Sequence, residues 1–200
     1  MNVIVIDEMF CFNQQITEDD DEYIQVRYRS AIHEAAHAVI REILVPGSLA
    51  EIGIEPDGMY AYTDAVKGMA RLDRKAAIVS LAGPVADKYL NQHLGKFDRK
   101  FCLNSSTIDT YNALNIINGK HCETVRSEHT GWRPIKVVYI KEWADDDKIL
   151  AENYRIIVPM LKKYRCAIET VALAFSRGGR LSGDAVGEIM KWVALDQPPI

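Results

Sequence analysis

The first clear pattern along the chain is helical and lies between Asp21 and Leu44. Its apolar positions recur three or four residues apart and form one stripe: Ile32, Val39, Ile40, Ile43 and Leu44. The pair Pro46-Gly47 follows, and it favours the end of a helix because proline lacks an amide donor and glycine suits turns. We therefore predict an amphipathic helix over residues 21–44.

A hairpin pattern follows this helix. Apolar and polar residues alternate in the segment LAEIGIE, and the segment MYAYTD resumes with aromatic residues that favour strands. Pro56, Asp57 and Gly58 lie between the two segments, and these residue types favour turns. The pattern predicts a β-hairpin over residues 49–63.

The rest of the chain is mainly helical in its pattern. Apolar periodicity, capping residues and breakers predict four further helices, over residues 73–92, 105–118 and 142–175 and from a cap at Ser182 to about Val193. We expect Pro159 to break or kink the third of them, because its ring removes a backbone donor and crowds the preceding turn. A short strand is expected at residues 135–140.

These elements indicate a mainly α fold of the α+β type, in which a helical domain carries a small β-hairpin sheet beside the first helix. A chain of 200 residues has the length of one compact domain. We assign residues 21–195 to that domain. Residues 1–20 are left as an unassigned N-terminal lead-in.

Composition argues against several classes of function. Hydrophobic residues make up 48% and charged residues 26% of the chain, which argues for a packed core and against general disorder. The formal net charge of −4 provides no basic field for nucleic acid or an anionic membrane. No apolar run approaches the ~20 residues needed to span a bilayer, and the N-terminus lacks the basic start of a secretory signal. We therefore expect a cytoplasmic protein with no membrane span and no nucleic-acid partner.

The cysteines support the same location. Cys11, Cys102, Cys122 and Cys166 are widely spaced and form no C-x-x-C pair. This spacing is typical of neither a structural zinc knuckle nor a disulfide framework, and it suits a reducing compartment.

The motif that carries chemistry is H-E-x-x-H, formed by His33, Glu34 and His37 on the first predicted helix. The two histidines lie one turn apart on one helix face, so that both imidazoles can reach one tetrahedral metal ion. Glu34 is offset by one position, where its carboxylate can accept a proton from water at the metal. The motif predicts a catalytic zinc site; the alternative is a pair of hydrogen-bonded core histidines beside an exposed Glu34.

A catalytic zinc ion commonly has three protein ligands, so that a third one is needed. The position six residues after His37 is Ile43, which excludes the extended motif with a third histidine. The remaining candidates are several glutamates and four other residues: His93, His121, His129 and Asp109. Asp109 lies on the apolar face of its predicted helix, where an unpaired carboxylate would be costly to bury. By pattern alone, a metal ligand and a residue that compensates the helix dipole are equally good roles for Asp109.

Five segments of the chain are similar to one protein family. They are IHEAAHAVI (32–40), IGIEPDG with AYT (52–63), VSLAGPVAD (79–87), SSTIDTYNAL (105–114) and LSG (181–183). They resemble, in that order, an H-E-A-G-H-A-V helix, a strand with a P-R-G turn and a G-Y-T return, an L-A-G-R-A-A-E helix, a G-A-S-N-D segment and an L-x-G before a closing helix. This is the pattern of the zinc peptidase domain of the FtsH-type ATP-dependent proteases, and the resemblance covers roughly residues 25–192.

The resemblance implies that Asp109 is the third zinc ligand, because it falls on the aspartate of the G-A-S-N-D segment. It also implies a zinc cofactor, a protein or peptide substrate and, by analogy, a homo-oligomer. Ala36, Asp57 and Pro84 depart from the family's glycine and two arginines. Neither the phosphate-binding motif of the family's ATPase nor its membrane anchor is found in the sequence, so we expect a stand-alone peptidase.

We therefore expect a zinc-dependent endopeptidase that cleaves unfolded or flexible protein segments without an ATPase of its own. His33, His37 and Asp109 would hold zinc, and Glu34 would act as the general base. One alternative is a catalytically silent domain of this fold that serves binding or assembly. Another is a regulatory peptidase with one dedicated protein substrate.

Two further features have open roles. The edge of the hairpin 49–63 could pair with an extended substrate, or it could simply cover the core. Asp87 could orient one of the ligating histidines, which usually donate their second ring hydrogen to an acceptor, or it could be a surface charge.

Overall fold

The computed structural model describes residues 22–55, 61–66, 73–90, 144–176 and 179–196, together with the helical residues 109, 110, 113 and 116. Its helices are α1 (Glu22–Leu44), α2 (Asp73–Tyr89), α3 (Ala144–Lys163), α4 (Arg165–Ser176) and α5 (Gly183–Asp196). Its strands are β1 (Leu49–Ile54), β2 (Ala61–Ala65) and β3 (Arg180–Ser182). This part of the chain is thus mainly helical with a small three-stranded antiparallel sheet, as the predicted class requires.

Helix α1 lies at the centre of the fold and packs against α2, α4 and β1. Its buried face is rich in small residues, which allow α2 to approach closely. The fully enclosed alanines are Ala31, Ala35, Ala36 and Ala38 on α1, and Ala77, Ala82 and Ala86 on α2. Larger buried residues complete this core, among them Ile32, Val39, Ile40, Leu81 and Val85. Burial of each such side chain contributes about 1.5–3 kcal/mol, so that packing fixes the helix that carries the H-E-x-x-H motif.

The turn after α1 ends the helix where the sequence predicts. Gly47 has a φ of 75°, a left-handed conformation that glycine adopts without strain. The carboxylate of Glu42 accepts hydrogen bonds from the backbone N–H of Gly47 at 2.8 Å and of Leu49 at 2.9 Å. These bonds fix the direction in which the chain enters β1.

Strand β1 is the centre of the sheet, because it pairs antiparallel with β2 on one side and with β3 on the other. Ile52 lies opposite Thr63 of β2 and opposite Leu181 of β3. Both strands of the predicted hairpin are confirmed, while its turn at 56–58 lies outside the described residues. The sequence pattern does not predict β3, because a strand of three residues is too short to display alternation.

Helix α3 does not break at Pro159, so that this part of the prediction is wrong, while a kink there stays a prediction. Helix α3 continues through Pro159 to Lys163, and the interruption falls at Tyr164, between α3 and α4. Pro159 and Arg155, whose carbonyl loses its helical donor, are both exposed, so that water can satisfy the freed group. At the interruption, the N–H of Tyr164 still bonds to the Met160 carbonyl at 2.9 Å.

The remaining predictions have mixed outcomes. Helix α2 begins at Asp73 as predicted but ends at Tyr89, and α5 continues past Val193 to Asp196. Ser182 caps α5, because its Oγ accepts a hydrogen bond from the N–H of Ala185 at 3.2 Å.

The lead-in 1–20 and the strand expected at 135–140 lie outside the described residues. Within the part of the chain that the structure describes, no helix is both long and apolar enough to cross a membrane.

Candidate metal centre

Helix α1 carries three predicted site residues in one turn. His33 and His37 are 5% and 7% exposed, and their rings meet edge to face with centroids 4.7 Å apart. Within residues 31–40, all of which are described, Glu34 alone is not fully buried. Both histidines therefore lie on the buried face of α1, toward α2, while the carboxylate of Glu34 lies at the edge of that face and is partly exposed.

The inner nitrogen of each ring faces an acceptor on α2. Nδ1 of His33 lies 2.7 Å from Oδ2 of Asp87, and Nδ1 of His37 lies 2.7 Å from the carbonyl oxygen of Val79. A carbonyl accepts only, and an ionised carboxylate does likewise, so that Nδ1 is the hydrogen-bearing atom in both rings. In the neutral imidazoles, Nε2 then presents a lone pair.

Asp109 completes the cluster from a different part of the chain. Its Oδ2 lies 3.0 Å from Nε2 of His33 and 3.3 Å from Nε2 of His37, and the two Nε2 atoms are 3.1 Å apart. Asp109 is helical and shares its face with Ala113, which is fully buried, and Ile116, which packs against the core. Asp109 therefore lies on the apolar face of its helix, as the sequence predicts.

While both imidazoles are neutral, three acceptor atoms therefore converge with no hydrogen between them. Such an arrangement is repulsive unless a proton or a metal ion occupies the centre. The spacing suits a metal, because ligands at about 2.0–2.1 Å from a tetrahedral zinc ion lie about 3.3 Å from one another. Among the described residues, His33, His37 and Asp109 form the group of side chains that could hold a metal ion.

Gly83 of α2 leaves the space that an ion needs. A Cβ atom added at Gly83 would lie 2.5 Å from Nε2 of His33 and would collide with Nε2 of His37. The missing side chain therefore opens a small cradle directly against both nitrogen lone pairs. The residues present fit a bound metal ion.

The electric field at the centre favours positive charge. Burial opposes the charged form of His33, but the carboxylates of Asp87 and Asp109 outweigh it and raise the pKa of His33 well above its usual value of 6.5. For His37, burial is likewise outweighed by Asp109, and its pKa is raised. The nearby histidines in turn hold the pKa of Asp109 far below its usual range, although burial acts in the opposite direction. Glu34 adds to the negative field at both rings.

The carboxylate of Glu34 has a partner on the sheet. The hydroxyl of Thr63, on β2, donates to Oε2 of Glu34 at 2.6 Å and lies 3.2 Å from the Glu34 carbonyl oxygen. Glu34 thus lies near the three converging atoms, and a hydrogen bond from β2 holds its carboxylate.

The sequence predicts most of the residues in this cluster. Asp87, for which two roles were open, contacts His33, and Asp109 lies at the histidines. The candidates His93, His121 and His129 lie outside the described residues. The contributions of Val79, Gly83 and Thr63 are not predicted. Val79 acts through its backbone, and a single sequence carries no signal for that; the other two lie in the family-like segments, which assign them no role.

Comparisons with known proteins add no assignment: no family model matches the chain, and no curated protein matches it significantly.

Proposed function

We propose that this chain is a zinc-dependent endopeptidase that acts on unfolded or flexible protein segments. The ligands are His33, His37 and Asp109, and the general base is Glu34. One observation carries the proposal: three acceptor atoms lie 3.0–3.3 Å from one another, and the two histidine nitrogens among them border the cradle at Gly83. A divalent cation at that point would take the place of the protons that otherwise relieve the repulsion among these atoms, and all three could bind it.

The donor set and its neighbour favour zinc and hydrolysis. Two imidazoles and one carboxylate, with a further position open, form a common ligand set of zinc hydrolases, although non-haem iron(II) uses a similar set. The distinguishing group is Glu34, which lies outside the ligand cluster but next to His33 in the chain. A base beside the metal is what attack by water requires.

Different residues of the chain serve proton transfer and the orientation of the ligands. When bound, a zinc ion supplies Lewis acidity, which lowers the pKa of a coordinated water molecule to about 7 and polarises a carbonyl group. Glu34 accepts a proton from the attacking water and then delivers it to the leaving amine. Asp87 and the Val79 carbonyl hold the Nδ1 hydrogens, so that both Nε2 atoms face the cradle.

The sheet offers a place for an extended substrate. Strand β2 is the edge strand on the side that holds Glu34, since β1 is paired on both sides. Asp64 and Ala65 of β2 are exposed, and no further strand lies on this edge among the described residues. A peptide added to β2 by backbone hydrogen bonds would lie next to the proposed base.

The five family-like segments support the peptidase assignment and, by analogy, a homo-oligomer. A reducing compartment such as the cytoplasm accords with Cys166, which is an exposed free thiol. The substrate in this proposal is protein or peptide.

The direct test is cleavage of casein by the purified protein and by a Glu34→Gln variant, with zinc content measured in both. We expect the variant to keep its zinc and to lose activity by at least about a hundredfold, because the amide cannot accept the proton. Full activity in Glu34→Gln would overturn the assigned base. Bound zinc without cleavage of casein would favour the two alternatives, a silent binding domain or a peptidase with one dedicated substrate.

A further inference from the structure

The carboxylate of Glu34, the proposed general base, accepts a hydrogen bond from a threonine on the sheet. Thr63 Oγ1 lies 2.6 Å from Oε2 of Glu34, and the two residues are 29 positions apart on β2 and α1. A hydroxyl that donates to a carboxylate forms a short, charge-assisted bond, and this distance is typical of one.

Thr63 occupies a core-facing position of the sheet. It lies directly opposite Ile52 of β1, whose side chain is fully buried, and opposite residues on antiparallel strands share one face. Its neighbours Tyr62 and Asp64 therefore lie on the other face. A core-facing position next to a buried isoleucine would ordinarily take an apolar residue, so that a hydroxyl here needs a partner, and Glu34 is that partner.

We propose that Thr63 is a positioning residue for Glu34. The inference rests on the proposed function and deepens it. The threonine hydroxyl has one hydrogen, which it gives to Oε2, and this bond fixes the rotation of the carboxylate. Oε1 is then the oxygen that takes the proton from the attacking water, and the carboxylate that carries it cannot rotate freely.

The bond also connects the base to the strand that we propose binds the substrate. Thr63 is the middle residue of β2, whose outer edge has no strand partner among the described residues. A peptide that pairs with this edge would hold β2 in place and, through Thr63, would hold the carboxylate of Glu34. Substrate binding and base alignment then depend on the same short segment.

The test compares Thr63→Val, which removes the hydroxyl and keeps the shape, with Thr63→Ser, which keeps the hydroxyl. We expect Thr63→Val to lower kcat for peptide cleavage by about 10- to 100-fold, the range typical of residues that orient a reacting group. KM, zinc content and Tm should change little. Thr63→Ser should recover activity to within a few-fold of the wild type. The matched control is Thr170→Val on α4, the same chemical change away from the site, and it should leave kcat unchanged.

A double variant separates a positioning role from a structural one. If Thr63 acts only through Glu34, then Thr63→Val adds no further loss of activity to Glu34→Gln. An equal kcat in Thr63→Val and the wild type, or a Thr63→Ser variant as impaired as Thr63→Val, would overturn the inference.

Failure of this inference is distinguishable from failure of the proposed function. Should Glu34→Gln be fully active, the base is wrong. Should Glu34→Gln be inactive while Thr63→Val is fully active, only the role of Thr63 is wrong. Crystal structures of the wild type and Thr63→Val provide a readout independent of activity: we expect one ordered Glu34 rotamer in the former and several in the latter. An equally ordered Glu34 in both would contradict the positioning role.

Discussion

Nε2 of His33 and Nε2 of His37 lie 3.1 Å apart, while the Nδ1 atom of each ring faces an acceptor on α2. This relationship fixes which nitrogen of each ring carries its hydrogen, and it turns two lone pairs toward one point. Asp109 adds a third acceptor there. Among the described residues, the outer nitrogens of both rings face one another and this carboxylate, an arrangement that suits a bound cation.

The first prediction concerns Gly83. A Gly83→Ala variant places a methyl group against Nε2 of both histidines, in the space that we assign to the ion. We expect zinc content to fall to background and cleavage to be lost, although alanine is the better helix former by about 1 kcal/mol. Elemental analysis and an activity assay measure the two effects.

The control for this variant is Gly187→Ala on α5. A Cβ at Gly187 meets no atom within 4 Å, so that the same substitution there should leave zinc content and activity unchanged. A Gly83→Ala protein that binds zinc as tightly as the wild type would mean that the ion lies elsewhere.

The second prediction concerns Asp87. Replacement by alanine removes the acceptor that orients His33, and we expect zinc affinity to fall about 10- to 100-fold. Competition against a chelator of known affinity measures this change. Asp184→Ala, a change of an exposed aspartate in the first turn of α5, is the matched control and should leave zinc affinity unaltered. Equal zinc affinity in Asp87→Ala and the wild type would remove the orienting role.

How far the sequence predicts this molecule depends on the range of each interaction. Helix α1 and the hairpin strands follow from local periodicity, and His33, Glu34 and His37 follow from spacing within one helix. For Asp109, the residue pattern fits a metal ligand and a residue that compensates the helix dipole equally well, and only the family resemblance favours the metal ligand. The sequence does not predict the contact of the Val79 carbonyl, because every residue has a backbone carbonyl and the residue type gives no signal for its contacts.

Two errors have clear physical causes. Proline breaks a helix when the carbonyl four residues earlier loses its hydrogen-bond donor and finds no other partner. At Pro159 that carbonyl belongs to the exposed Arg155 and can bond to water. Strand β3 is stabilised by its pairing with β1, which is a long-range contact. The sequence of three residues alone does not predict such a pairing.

The third prediction concerns pH. In the metal-free protein the pKa values of His33 and His37 are raised above 6.5, since the nearby carboxylates outweigh burial. Only the deprotonated rings bind zinc, so that zinc affinity should decline as pH falls through these raised pKa values, and the decline should begin above pH 6.5. The pKa of Asp109 is strongly lowered, so its carboxylate stays ionised and adds nothing to this decline.

The metal-free protein should have the opposite pH dependence. A group whose pKa is raised on folding stabilises the protein below its unfolded pKa, and this contribution is lost as pH rises through the folded pKa. Scans of Tm with excess chelator should therefore show greater stability at about pH 6 than at about pH 8 from this pair, while the gain in Tm from added zinc should grow with pH. A zinc-induced gain that is the same at both pH values would contradict the assignment of the histidines as ligands.

The most direct test of the account is the zinc content of the wild type and of Asp109→Ala, both purified without chelator. We predict about one zinc ion per chain in the wild type and a large loss in the variant, because two histidines alone hold the ion weakly. Wild-type protein that contains no zinc under these conditions, and takes up none when zinc is added, would contradict the metal centre and the peptidase proposal with it.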